Sequence, residues 1–232
     1  MAATGDALRP TRGRGVVEGA FALLEALRRH GQGAGVTELA WECRVPKSTA
    51  HRLLDQLIAV GAVERHGDRY RVGSQLYRIG HAWQPHPGLR LAARLPLHRL
   101  RAATGASAVL TVLRDDLALT VSSIPGEVEP LVPVRDGMSF PLDTAAGRAL
   151  RSGGARPQAA LDREDVVPGV CCAALPVRSP EGRTVAALAA MVPVGRRLEA
   201  VTQAVAEAGA AITRGLALGA GASVELPPVL LH

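Results

Sequence analysis

Val45-Pro46-Lys47-Ser48-Thr49-Ala50-His51-Arg52-Leu53-Leu54 decides how this chain of 232 residues is read. Pro46 suits the first position of a helix, where its missing N–H would have no partner anyway. Behind it, Ala50, Leu53, Leu54, Leu57 and Ile58 recur at the spacing of one buried helical stripe. At about 100° per residue, Ser48, Arg52 and Asp55 point directly away from that stripe, with Thr49, His51 and Gln56 on its flanks. The outer face of the first two turns therefore carries short and long hydrogen-bond donors, the kind that meet phosphates and base edges. Lys47, the only lysine in the chain, lies nearer the buried side, but at the helix start its long stem still reaches outward.

The flanking sequence gives this helix a setting. Residues 1–14, with Arg9, Arg12 and Arg14, read as a flexible basic arm. Val17, Phe21, Leu24 and Leu27 predict an amphipathic helix over residues 15–30, ended by Gly31-Gln32-Gly33-Ala34-Gly35. That glycine-rich stretch lacks the Lys-Ser/Thr a phosphate loop requires. A short helix follows over residues 37–43, with Thr37 as its expected N-cap, and Arg44-Val45 turns into the decisive stretch. Gly61 is a suitable stop. Residues 62–66 and 69–72 then read as two short strands around Gly67-Asp68, a hairpin turn pair. Three helices and a hairpin are the order of a winged helix-turn-helix, in which Arg65, His66, Arg69 and Arg71 on the wing would flank a groove and hold phosphates.

Composition agrees with an anionic partner. The formal charge is +6, and residues 1–82 hold 12 basic against 8 acidic side chains, so the shorter N-terminal part carries most of the excess. Apolar residues make up 47% but aromatics only 3%, so the cores must be built from Leu, Val and Ala. No run approaches a membrane span and no apolar signal region opens the chain, so no membrane partner and a cytoplasmic, nucleoid-associated location are expected. Cys43, Cys171 and Cys172 cannot make a disulfide framework, which fits a reducing compartment. Catalytic patterns are missing: there is no Gly-x-Ser-x-Gly, His-Glu-x-x-His or Cys-x-x-Cys, and the seven histidines never fall at metal spacing. Neither an enzyme nor a cofactor or metal is expected.

Residues 36–40, 45–54 and 70–76 closely resemble the DNA-binding domain of the IclR family of bacterial transcriptional regulators. The likeness continues through Ala93-Arg94-Leu95-Pro96-Leu97 to Ala103-Thr104-Gly105, similar to the first helix of that family's effector domain. Pro180-Glu181-Gly182 to Leu188 is similar to its late hairpin. The resemblance implies an α+β chain with a GAF-like α/β effector domain, a homodimer or homotetramer, double-stranded DNA as partner and a small-molecule effector. The expected organisation is a basic arm (1–14), winged helix-turn-helix (15–73), linker helix (74–87), effector and oligomerisation domain (88–219) and tail (220–232).

Within the effector region a helix is predicted over residues 88–104, kinked at Pro96, then two strands around Asp115-Asp116, a strand at residues 131–134 and a short helix at 144–150. Strands at 170–178 and 184–192 and a last helix at about 197–218 complete a sheet with helices on one face. By resemblance, family members that sense small carboxylates use an aspartate, a cysteine and a Ser-x-Ser, which fall here at Asp162, Cys172, Ala189 and Met191. Alanine and methionine donate no hydrogen bond, so a carboxylate would be left underpaired. A more apolar ligand suits Ala189, Met191, Leu142 and Val170 better. Only residues 152–161 separate the short helix from Asp162, fewer than the family usually has, so either a more open pocket or none is expected.

The expected function is a regulator, a repressor rather than an activator, on a near-palindromic operator. Ser48, Thr49 and Arg52 would read bases while Lys47, His51 and the wing arginines hold the backbone. The alternative is an oligomerising interaction protein that binds DNA without sequence preference.

Overall fold

A computed structural model describes residues 15–153 and 158–219. The basic arm and the C-terminal tail lie outside the described residues. The chain divides into two compact units between Trp83 and Gln84.

In the first unit, α1 (Val16–Arg29), α2 (Val36–Glu42) and α3 (Lys47–Ala59) enclose one core, and β2 (Val63–His66) and β3 (Arg69–Val72) form the wing. Leu23, Leu39, Leu54 and Tyr70 are fully or almost fully buried at its centre. Helix α3 starts one residue later than the proline rule suggests: Pro46 is the N-cap and its carbonyl accepts from Ala50 N–H at 2.9 Å. Helix α2 by contrast starts early, with Gly35 rather than Thr37 as N-cap, because Glu38 reaches back to Gly35 N–H at 3.4 Å. Arg44, at φ 53, makes the tight turn between α2 and α3.

Helix α1 is rotated from its expected phase. Gly19, Leu23, Ala26 and Leu27 face the core, while Val17 and Phe21 are exposed. Apolar residues cover more than one side of this helix, so periodicity alone allows two stripes. Gly19 selects between them, because a Cβ there would lie 2.9 Å from the Leu53 side chain of α3. The glycine-rich stretch was expected to be loop alone. Instead Ala34–Gly35 forms β1, which pairs with β3 to give a three-stranded sheet in the order β1-β3-β2. Helix α4 (Ser74–Ala82) closes the unit, entered through Gly73, whose absent Cβ leaves room for the Gly61 carbonyl.

Arg29, His30 and Glu42 tie the ends of α1 and α2 together: Glu42 accepts from Arg29 Nε at 2.9 Å and meets His30 Nε2 at 2.9 Å. The bond with His30, then that with Arg29, holds the Glu42 carboxyl below its ordinary value. A depressed carboxyl stabilises the fold above its unfolded pKa, and that contribution is lost as pH falls through the folded value. Glu42→Gln is therefore expected to cost under about 1 kcal/mol at neutral pH, as for exposed pairs. The variant should also flatten the fall in melting temperature on acidification below about pH 4.5. An unchanged acid limb in thermal melts would contradict this.

In the second unit, α5 (Leu89–Thr104) leads into β4 (Ser107–Arg114), β5 (Leu117–Ile124), β6 (Ser139–Phe140), α6 (Ala145–Arg151), β7 (Ala160–Arg163), β8 (Val170–Arg178), β9 (Thr184–Pro193) and α7 (Leu198–Gly219). The strands make one antiparallel sheet in the order β6-β5-β4-β9-β8-β7, an α+β arrangement. Asp115 and Asp116 both take positive φ, as a two-residue hairpin turn demands.

Alternation along β9 sorts the two faces. Ala187 and Ala189 pack with Ala145, Ala149 and Leu150 of α6. Leu188, Ala190 and Val192 point the other way, to the face covered by α5 and α7. Helices thus lie on both faces rather than one. Residues 131–134 are not a strand, because the Leu131 and Val132 amides both donate to Val128 O and Pro133 has no amide to offer a ladder. Strand β7 had no clear signal in four residues; its register is set by Asp162 lying opposite Cys172 on β8.

Candidate nucleic-acid interface and small-molecule cavity

The stripe that anchors α3 is buried: Ala50, Leu53, Leu54 and Leu57 enter the core, with Ile58 packed beside them. Its opposite face is open. Ser48, His51, Arg52, Asp55, Gln56 and Ala59 line one shallow, apolar-floored groove along the helix surface, and Lys47 is exposed at its start. Thr49 is half-buried at the flank. No ion pair engages Lys47 or Arg52 among the described residues, so both cations are available to a ligand. His51 differs, because its Nδ1 is 2.9 Å from Asp55 Oδ2 one turn later. That contact orients the ring along the helix and screens it from one side.

The wing arginines divide by partner. Arg65 holds its own turn through Nε to Gly67 O at 3.0 Å and lies 5.8 Å from the centre of the Tyr70 ring. Arg69 donates to Gly33 O from Nε at 3.1 Å, and Arg71 to Gln32 O at 3.2 Å. These two guanidiniums pin the glycine-rich turn to the wing, a structural task not visible in their spacing. All three side chains stay exposed. Sequence reasoning passed over Arg44, which is exposed in the turn before α3, and Trp41 beside it, 83% exposed. Arg44's signal was its place in the turn that aims the helix.

The second unit holds a cavity between α6 and the sheet, with about 610 Å³ of space unfilled by atoms and partly open to solvent. Asp162, Cys172, Ala189, Met191 and Val170 line it. Leu142 does not; it packs against α6, where its backbone lies so close to Gly147 that a Cβ there would sit 2.4 Å away. Thr144 caps α6 by accepting from Gly147 N–H at 3.2 Å. The shortened segment before Asp162 thus coexists with a cavity, whose rim includes Val132, Val134, Val166 and Val167.

Asp162 is 4% exposed and accepts one hydrogen bond, from Asp165 N–H to Oδ1 at 2.9 Å. Cys172 is only partly covered, but its open side meets the cavity rather than bulk water. Burial, reinforced by the Asp162 charge, pushes its thiol up to about 12. The thiol is then protonated at every pH near neutral. Alkylation of Cys172 by iodoacetamide at pH 8 is expected to run roughly a thousandfold slower in the native protein than in the denatured chain, as read by mass spectrometry. Equal rates would contradict the placement. No group of three or more His, Cys, Asp or Glu side chains able to hold a metal occurs among the described residues, and no described helix is long and apolar enough to cross a membrane.

Residues 16–67 match the model of the IclR helix-turn-helix domain. Over 227 residues the chain is 28% identical to the HTH-type transcriptional regulator BhcR of Paracoccus denitrificans, covering 80% of this chain and 81% of that one. It is 25% identical to the HTH-type transcriptional regulator XynR of Escherichia coli, over 86% and 96% of the two chains. Among solved structures, an IclR homologue from Microbacterium hydrocarbonoxydans complexed with 4-hydroxybenzoate superposes with a TM-score of 0.75 at 19% identity, over 88% of this chain and all of that one. An IclR regulator from Alicyclobacillus acidocaldarius gives 0.65 at 23% identity, over 87% and 98%. At such identities the structural likeness is one of fold.

Proposed function

We propose, from the premise that this chain is a member of the IclR family of transcriptional regulators with a DNA-binding helix-turn-helix, that it represses transcription by occupying a near-palindromic operator as a dimer or a tetramer. The observation that carries this reading is the outer face of α3, where Ser48 and Arg52 stand exposed, without a side-chain partner among the described residues, while the opposite face is locked in the core. A helix so held enters the major groove with its N-terminal residues towards the bases. Arg52 makes the bidentate contact to a guanine, and Ser48 and Thr49 read neighbouring edges.

Lys47, Arg44 and Arg65 meet phosphates. His51 contributes through its free ring edge, and Arg69 and Arg71 act mainly by holding the wing in place. Two copies would set their α3 helices about 34–36 Å apart, or a multiple of that. Exposed Val17 and Phe21 on α1 offer a second copy apolar surface to cover. The second unit serves as the effector domain, its cavity taking a small apolar molecule whose binding alters the affinity for DNA.

Footprinting on fragments of the source genome tests the reading. Protection of one or a few sites with two-fold symmetry is expected, and competitor random DNA should not erase it. Binding that depends steeply on salt but protects no site would instead favour an interaction protein with non-specific DNA affinity.

A further inference from the structure

We infer that the cavity of the second unit selects a neutral, largely apolar molecule carrying one hydroxyl group, an alcohol or a phenol, whose O–H donates to the Asp162 carboxylate. This rests on the reading of that cavity as an effector site and names its ligand chemistry. Most of the lining is apolar, with Val109, Ala189 and Met191 along the sheet and Val132, Val134, Val166 and Val167 from two loops. Into it comes one buried carboxylate with a single backbone hydrogen bond and no cation against it among the described residues. The nearby Arg148 makes no ion pair with it among the described residues. That guanidinium donates to the carbonyls of Asp143 and of Leu161, the latter at 2.6 Å, and does not line the cavity.

Three head groups can be compared on this wall. A carboxylate would bring a second negative charge against Asp162, and the facing positions Ala189 and Met191 have nothing to donate. The Cys172 thiol, directly opposite Asp162 in register, is a weak donor. An ammonium would match the charge, and the two carboxylate oxygens could take two of its three N–H donors, but the third would face an apolar wall. Among the described residues, the one unpaired buried polar atom in the lining is the Thr111 hydroxyl, on β4, three strands from β7 and roughly 14 Å across a flat sheet. A hydroxyl has one proton to give, and a carboxylate acceptor makes that bond a strong one.

The test is calorimetry on the full-length protein with four probes of one shape: 4-methylphenol, toluene, 4-methylbenzoate and 4-methylbenzylamine. The phenol is expected to bind at least tenfold more tightly than each of the others. Asp162→Asn keeps an acceptor for Asp165 N–H and so should preserve the melting temperature. It should reduce the advantage of the phenol over toluene to threefold or less, and strengthen binding of the benzoate. A structural role for Asp162 alone would instead weaken all four probes together and overturn the inference. Tighter binding of the benzoate or the amine by the unaltered protein would overturn it while leaving the effector-site reading intact. Failure of every probe to bind would overturn both, and DNA footprinting would be untouched by either outcome.

Discussion

Arg52→Ala is expected to weaken binding to the specific site by about 1–3 kcal/mol, a factor of about 5 to 150, and to relax preference at one base pair of each half-site. Arg52 is exposed in the middle of the outer face of α3, free of any ion pair among the described residues, so its loss leaves the fold as it is. Affinity for random DNA should fall much less. Lys47→Ala supplies the contrast. A contact to phosphate carries no sequence information, so specific and random DNA should weaken alike and the salt dependence should flatten by roughly one ion. Titrations against both DNAs at two or more salt concentrations separate the two behaviours. Equal losses on both DNAs for Arg52→Ala would remove it from base reading.

On the other side of the same helix, Leu54→Ala should cost about 2–5 kcal/mol. Leu54 is fully buried among Leu23, Leu39 and Tyr70, and alanine leaves a cavity that three short helices and a small sheet cannot collapse to fill. A unit of this size has only about 5 kcal/mol or somewhat more to lose. DNA binding should then fail through unfolding at temperatures where the unaltered protein binds, and circular dichroism melts would show it. Trp41→Ala, at an 83% exposed position of the neighbouring helix, is the control and should stay within about 0.5 kcal/mol. A Leu54→Ala melt no lower than that of Trp41→Ala would contradict the core assigned here.

How much of this could be read from the residues depends on how far away each partner is. Helix α3 was legible in both faces because it has one apolar stripe, so its phase has one solution. Helix α1 was legible as a helix but not in its phase, since Val17 and Phe21 compete with Leu23 and Ala26 for the inner side, Leu27 fits both stripes, and only the close approach of Gly19 to Leu53 decides. The strand at Ala34–Gly35 exists because Tyr70 and Arg69 lie opposite it, partners that no local pattern announces. The same distance in sequence hid the engagement of Arg69 and Arg71 with Gly33 and Gln32, 36 and 39 residues away.

In the second unit the long strands and α7 were legible from their apolar runs, whereas residues 131–134 read as a strand and pair with none, because hydrogen bonding to Val128 outweighs β propensity there. Asp162, Cys172, Ala189, Met191 and Val170 were singled out one by one, and the antiparallel register brings them to a single cavity. That a cavity is present despite so short a connection in the sequence was not legible. Its rim is supplied by valines from two loops far apart in the chain.

For Arg52 to reach base edges, the outer face of α3 must lie in a groove of the duplex. Ser48→Cys, labelled with an iron chelate that cleaves DNA by hydroxyl radical, tests it most directly. Cys43 and Cys171 are buried and Cys172 is held protonated, so the label goes to position 48. Cleavage should fall in two clusters within the protected site, offset as for a major-groove source and about one helical turn, or a multiple of that, apart. Cleavage spread evenly along the DNA, or none above that of the unlabelled protein, would contradict it.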